Sequence, residues 1–142
     1  MKYVILIPIY NDRESLKLLI ENINYEIKDL NHEISIVVLN DASSQQIIDT
    51  YPNIENINSF EIVNMKENRG HARCIASGLK YILEKKDFDF VIPMDGDGED
   101  RPEEIKNFIQ LSEQSGEKSI TVKELRDLKV YFFNYVINFT NS

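Results

Sequence analysis

Cysteine, histidine, basic side chains and long apolar runs are what this sequence has least of, and each shortage closes off a class of function. One cysteine, Cys74, in 142 residues allows neither an internal disulfide framework nor a multi-cysteine metal centre, which fits a reducing compartment and predicts a cytoplasmic protein. Two histidines, with His32 on the loop before a strand, give no basis for a histidine-built metal site. Sixteen Lys and Arg stand against 24 Asp and Glu, a net charge of −8, and that balance repels phosphate backbones, so nucleic acid is not an expected partner. The longest apolar stretches are Tyr3 to Tyr10 and Val130 to Phe139, the second interrupted by Asn134 and Asn138, whereas a membrane span needs about 20 apolar residues. The first stretch ends at Asn11-Asp12-Arg13-Glu14, which is not a signal-peptide cleavage region. With only 5 Gly and 4 Pro the chain is neither collagen-like nor of low complexity, and its length predicts a single domain over residues 1–142.

What is present alternates between short β-branched runs and longer segments of helical period, the pattern of βαβ units around a parallel sheet. Tyr3 to Ile7 reads as the first strand. Leu16, Leu19, Ile20, Ile23 and Ile27 recur at three- and four-residue steps and predict a helix, with Asp12 and Glu14 near its positive end. Ile34 to Leu39 reads as a second, fully buried strand, Phe60 to Val63 as a short third and Phe90 to Met94 as a fourth, with Pro93 near its end. Between the third and fourth, Ala72, Ile75, Ala76, Leu79, Ile82 and Leu83 form the stripe of a second helix, and a third runs from about Glu103 to Leu111 behind Pro102. The stretch after Ser44 is poorly patterned. Residues 122–139 are helical in period and rich in aromatics, a face that needs core, a partner or a membrane surface.

In a parallel sheet the segments after Ile7, Leu39 and Met94 lie together at the carboxyl edge, where open α/β sheets bind ligands. These are Pro8-Ile9-Tyr10-Asn11-Asp12, Asn40-Asp41-Ala42-Ser43 and Asp95-Gly96-Asp97-Gly98-Glu99, followed by Asp100. An acidic turn by itself reads as solvated surface, but four carboxylates placed straight after an apolar strand suit a hard cation such as Mg²⁺ or Mn²⁺ that brings a diphosphate with it. A calcium loop would need Gly at its sixth position and Glu at its twelfth, where this chain has Asp100 and Lys106, and no phosphate-binding Gly-x-x-x-x-Gly-Lys loop is present. Gly70, Cys74 and Gly78, four apart, read as a helix packed closely on the sheet, with Cys74 a small core residue. Asn68, His71 and Arg73 at the same helix start could face the crevice and touch phosphate.

In that order these segments resemble family 2 glycosyltransferases of GT-A type, and most closely the branch of dolichol-phosphate mannosyltransferase and polyprenyl-phosphate sugar transferases. The likeness covers about residues 2–110. Val4 to Asp12 resembles the family's opening strand and P-x-Y-N-E turn, with Asp12 for Glu; Val37 to Ser43 resembles V-V-D-D-G-S, with Asn40 for the first Asp and Ala42 for Gly; Asn68 to Gly78 resembles N-x-G-x-x-x-A-x-x-x-G; and Met94 to Glu104 resembles the segment holding the metal-binding D-x-D. The resemblance implies a GT-A, Rossmann-like, mostly parallel sheet flanked by helices, truncated relative to the family. It implies that Pro8, Tyr10, Asp12 and Asp41 hold the base and ribose of a nucleotide-diphospho-sugar, that Asp95 and Gly96 sit by the ribose and diphosphate, and that Asp97 and Glu99 ligate Mg²⁺ or Mn²⁺. Asp41, on a loop, is expected to serve the ligand rather than the core. Asn68, Arg73, Lys123 and Arg126 are weaker candidates at the diphosphate, the last two in a C-terminal basic and aromatic segment, 119–142. The acceptor implied is a polyprenyl phosphate or a glycan, at the inner face of the membrane, and no general base can be named. The alternative is a non-catalytic nucleotide-sugar-binding module, or a fragment inactive without an acceptor-binding half.

Overall fold

The computed structural model describes residues 1–48, 50–96 and 102–115, the stretch 111–115 by its backbone alone. Along the chain come β1 (Lys2–Ile9), α1 (Arg13–Glu26), β2 (Glu33–Asn40), β3 (Ser59–Asn64), α2 (His71–Lys85), β4 (Phe90–Pro93) and α3 (Glu104–Ser115). Each falls where the hydrophobic period predicts it. Among the described residues no helix is long and apolar enough to cross a membrane.

The strands form one sheet in the order β3-β2-β1-β4, every neighbouring pair parallel. Because side chains alternate across a strand, Tyr3, Ile5, Ile7 and Ile9 of β1 and Ile34, Ile36 and Val38 of β2 share one face, packed with Leu16, Leu19, Ile20 and Ile23 of α1 and Ile105, Phe108 and Ile109 of α3. Val4, Leu6, Val37 and Leu39 share the other, packed with Cys74, Ile75, Leu79 and Ile82 of α2. Both central strands are therefore apolar at nearly every inner position, Ser35 being the exception, which is why they read as apolar runs. On the α2 face the helix comes close: a Cβ on Gly78 would stand 2.6 Å from Leu6 Cδ1 and 2.9 Å from Leu39 Cδ2.

β1 runs on through Pro8 and Ile9, beyond the sequence-based end at Ile7. Proline is tolerated there because residues pointing toward β4 alternate with residues pointing toward β2, as the bonds from Met94 N–H to the Leu6 carbonyl and from Asp41 N–H to the Ile9 carbonyl show. Pro8 points toward β4, whose pairing with β1 ends at Leu6↔Pro93, so its missing N–H falls past the ladder. Pro93, next to Met94, points its own missing N–H away from β1.

Residues 41–58 join β2 to β3 without a described helix. They are fixed to the α1 face instead: Tyr51 and Ile57 enter its core, and Asn56 donates from its backbone to Asn24 Oδ1 (2.8 Å) and from its side chain to the Asn24 carbonyl (3.1 Å). Building β1, β2 and β3 moves the chain toward one side of the sheet, and α2 then carries it back to β4 on the other side of β1. Such a reversal of strand order marks the crevice of an open α/β sheet, outside the carboxyl ends of the strands.

Candidate functional site

The loops at that edge are held to one another by hydrogen bonds between their own side chains and backbones. Asn11 sits in the left-handed region (φ 53), which asparagine tolerates better than most residues. Its N–H donates to Ser43 Oγ (2.9 Å), and its Oδ1 accepts from Ser44 Oγ (3.1 Å) and from Gln45 N–H (3.0 Å). Asn40 Oδ1 accepts from Ser43 N–H (3.0 Å) and its amide donates to Asn64 Oδ1 (2.9 Å). The ends of β1, β2 and β3 are thereby one unit. Ala42 occupies the left-handed region at φ 58, where the family pattern has glycine and where an L side chain is strained.

Asp41 is only 4% exposed. Its Oδ1 accepts from Arg69 N–H (2.9 Å) and its Oδ2 from Gly70 N–H (3.0 Å), while its carbonyl accepts from the Asn68 side chain (3.3 Å). The expectation that Asp41 serves only the ligand is corrected: it clamps the residues that lead into α2 to the end of β2. A carboxylate has about four lone-pair sites, so the two bonds leave acceptor capacity for a ligand as well. Gly70 makes the turn into α2 at φ +87, with open space around it; the backbone conformation, not crowding, requires glycine there.

The bonds leave a cleft of about 390 Å³ between Pro8, Ile9 and Tyr10 at the end of β1, Asp41 after β2, and Asn68, Gly70, His71 and Cys74 at the start of α2. Cys74 is its buried floor, and the thiol donates to the Leu39 carbonyl (3.7 Å). Burial, reinforced by the negative charge of Asp41, pushes this thiol up to about 12, so it stays protonated and unreactive, as the packing reading of Cys74 requires. His71 Nε2 lies 3.3 Å from Asp95 Oδ1, which brings the end of β4 to the rim. Gly96 lies beneath: a Cβ there would stand 3.1 Å from the Pro8 carbonyl and 3.4 Å from Ile7 Cγ2, so a side chain would press this loop a few tenths of an ångström away from the end of β1.

Of the residues singled out by sequence, Pro8, Tyr10, Asp41 and Asn68 line the cleft, Asp95 meets it through His71, and Gly96 packs against Pro8. Asp12 stands at the start of α1, half-buried, and its side chain makes no capping bond to the helix. Arg73 is exposed on α2 and does not line the cleft. Asp97, Glu99, Asp100, Lys123, Arg126 and the segment 122–139 lie outside the described residues. Among the described residues no three His, Cys, Asp or Glu side chains gather as a metal site. His71, which the sequence reading set beside Asn68 and Arg73 as able to face the crevice, does line the cleft, as Asn68 does and Arg73 does not.

The undecaprenyl-phosphate 4-deoxy-4-formamido-L-arabinose transferase of Pseudomonas savastanoi pv. phaseolicola is 33% identical to this chain over 130 residues, which are 89% of this chain and 37% of that protein. The protein of the same name from Proteus mirabilis is 30% identical over 116 residues, 80% of this chain and 34% of its own length. The chain thus spans little more than a third of the curated relatives it matches. Among solved structures, S. aureus TarS in complex with UDP-GlcNAc superposes with a TM-score of 0.61 at 20% identity, covering 80% of this chain and 32% of that one. The mannosyltransferase PcManGT from Pyrobaculum calidifontis, in complex with GDP-Man and Mn²⁺, gives 0.53 at 20% identity, covering 78% and 32%. These likenesses show the fold, which is the GT-A fold that the sequence resemblance implies. Residues 4–128 match the family described as glycosyl transferase family 2, and the chain belongs to that family.

Proposed function

We propose that this chain is the donor-binding part of a glycosyltransferase that moves a sugar from a nucleotide-diphospho-sugar to a polyprenyl phosphate. The observation that carries the proposal is the cleft at the reversal of strand order, lined from β1, β2 and α2 at once, the place where folds of this kind hold nucleotides. The names of the relatives, which are undecaprenyl-phosphate sugar transferases, support the acceptor class. Tyr10, 53% exposed at the rim, offers a flat ring to a base. Pro8, Asp12 and Asp41 supply the remaining contacts to base and ribose; Asp12 makes no capping bond, so its carboxylate is not spent on the helix. Asp95 and Gly96 lie toward ribose and diphosphate, Gly96 offering bare backbone.

The donor set of the acidic segment is all oxygen, the chemistry that suits Mg²⁺ or Mn²⁺, and Asp97 and Glu99 are the residues that would hold the ion. Bound there, it would neutralise charge on the departing nucleoside diphosphate. A phosphate acceptor is already anionic near neutral pH and needs no general base, whereas a glycan hydroxyl does. A polyprenyl acceptor would bring the enzyme to a membrane surface. Calorimetric titration with UDP and GDP, with Mn²⁺ and again in EDTA, tests the proposal: one of the two is expected to bind, and more tightly with metal. Equal affinity in both conditions removes the metal site, and no binding of either nucleotide defeats the functional reading. Hydrolysis or transfer of the sugar separates an enzyme from a binding module.

A further inference from the structure

Two carboxylates, Asp41 and Asp95, stand at or beside the cleft, in a chain of net charge −8. A diphosphate entering such a cleft meets repulsion unless something positive faces it. Arg69 pairs with Glu67 through Nη2 at 2.8 Å, and neither Arg69 nor Arg73 lines the cleft. Among the described residues, His71 is the one lining side chain able to carry positive charge. Its ring is 52% exposed, and Nε2 faces Asp95 Oδ1 at 3.3 Å, a contact that is attractive only with a proton on Nε2. The other ionisable groups lining the cleft are Tyr10 just after β1, Asp41 just after β2 and Cys74 from α2 itself.

We propose that His71 is this chain's own cationic contact for the donor diphosphate, held over the cleft by Asp95 while the site is empty and donating to a phosphate oxygen when the donor is bound. The proposal rests on the nucleotide-sugar reading of the cleft and adds to it a group that discriminates the charged part of the donor from its nucleoside part. It also assigns α2, which lies against the sheet face away from α1, a direct hand in binding.

The test is a competition titration in EDTA, so that no metal contributes, using UDP and GDP beside uridine and guanosine on the parent chain and on His71→Gln and His71→Lys. Because the ring is half exposed, the variants are expected to melt with the parent. His71→Gln should lower the affinity for the nucleoside diphosphate about tenfold and leave that for the nucleoside unchanged, and His71→Lys should restore most of the loss. Diphosphate affinity unchanged in His71→Gln overturns the proposal while leaving the nucleotide site intact. Equal losses in Gln and Lys variants overturn the cationic role, and a parallel loss of nucleoside affinity shows a structural one. A parent chain that binds neither UDP nor GDP, with or without metal, overturns the functional reading and this proposal with it.

Discussion

α1 and α2 lie on opposite faces of the same sheet and are packed by different means. Against α1 the sheet presents large aliphatic side chains, and α1 answers with Leu16, Leu19, Ile20 and Ile23, all buried. Against α2 it presents fewer, and α2 answers partly with a glycine and a thiol, Gly78 and Cys74, beside Leu6 and Leu39. Large side chains on the first face remove apolar area from water. Small ones on the second let the helix approach, and its approach sets how far Asn68, Gly70 and His71 stand from the ends of β1 and β2. One face supplies most of the stability; the other fixes the dimensions of the cleft.

The difference can be broken from either side. Ile20→Ala, at a fully buried position on the α1 face, should cost about 2–5 kcal/mol in urea unfolding, with nucleotide affinity unchanged in whatever remains folded. Gly78→Val should cost about 1–3 kcal/mol, because the buried Leu6 and Leu39 beside it must repack, and calorimetry should show a loss of nucleotide affinity that Ile20→Ala does not. If Ile20→Ala weakens binding as much as Gly78→Val does, the division of labour between the faces is wrong. Asp41→Ala should lower stability by about 1–2 kcal/mol, since the backbone donors of Arg69 and Gly70 lose their acceptor, and should also weaken nucleotide binding; a melt identical to the parent's would return Asp41 to a purely ligand-binding role. Ala42→Gly is the smallest effect and the one of opposite sign. Relief of the left-handed strain outweighs the added freedom of the unfolded chain, for a gain of about 0.5 kcal/mol in thermal melts.

The elements were legible because each obeys one period. β1 and β2 are buried on both faces and read as continuous apolar runs, and α1 and α2 are amphipathic with uninterrupted stripes. The route of residues 41–58 was not legible, because Tyr51 and Ile57 enter the core singly, with no period, and the bonds that hold Asn56 there come from Asn24, a buried asparagine of α1. The convergence of the three loops followed from strand direction alone. Which side chain does what within them did not: Asp41 finds its donors at Arg69 and Gly70, and His71 finds Asp95, partners that no local pattern connects. Arg73 looked equivalent to His71 from spacing, but it lies two residues further along a helix, so the same turn that aims one at the cleft aims the other at solvent.

The central position of β1 has a consequence for how the chain comes into being. β1 leaves the ribosome before the other three described strands, and its eight residues are almost all apolar. Its neighbour β2 follows soon enough, but β4 pairs with it from Tyr3↔Phe90 onward, and Lys2 waits for Asp89 across a separation of 87 residues. At about 5–20 residues per second, one flank of the most hydrophobic strand stays open for seconds before its permanent neighbour exists. Parallel pairing of this kind is slow and exposed to aggregation, so the nascent chain should depend on chaperones holding that segment more than its finished surface would suggest.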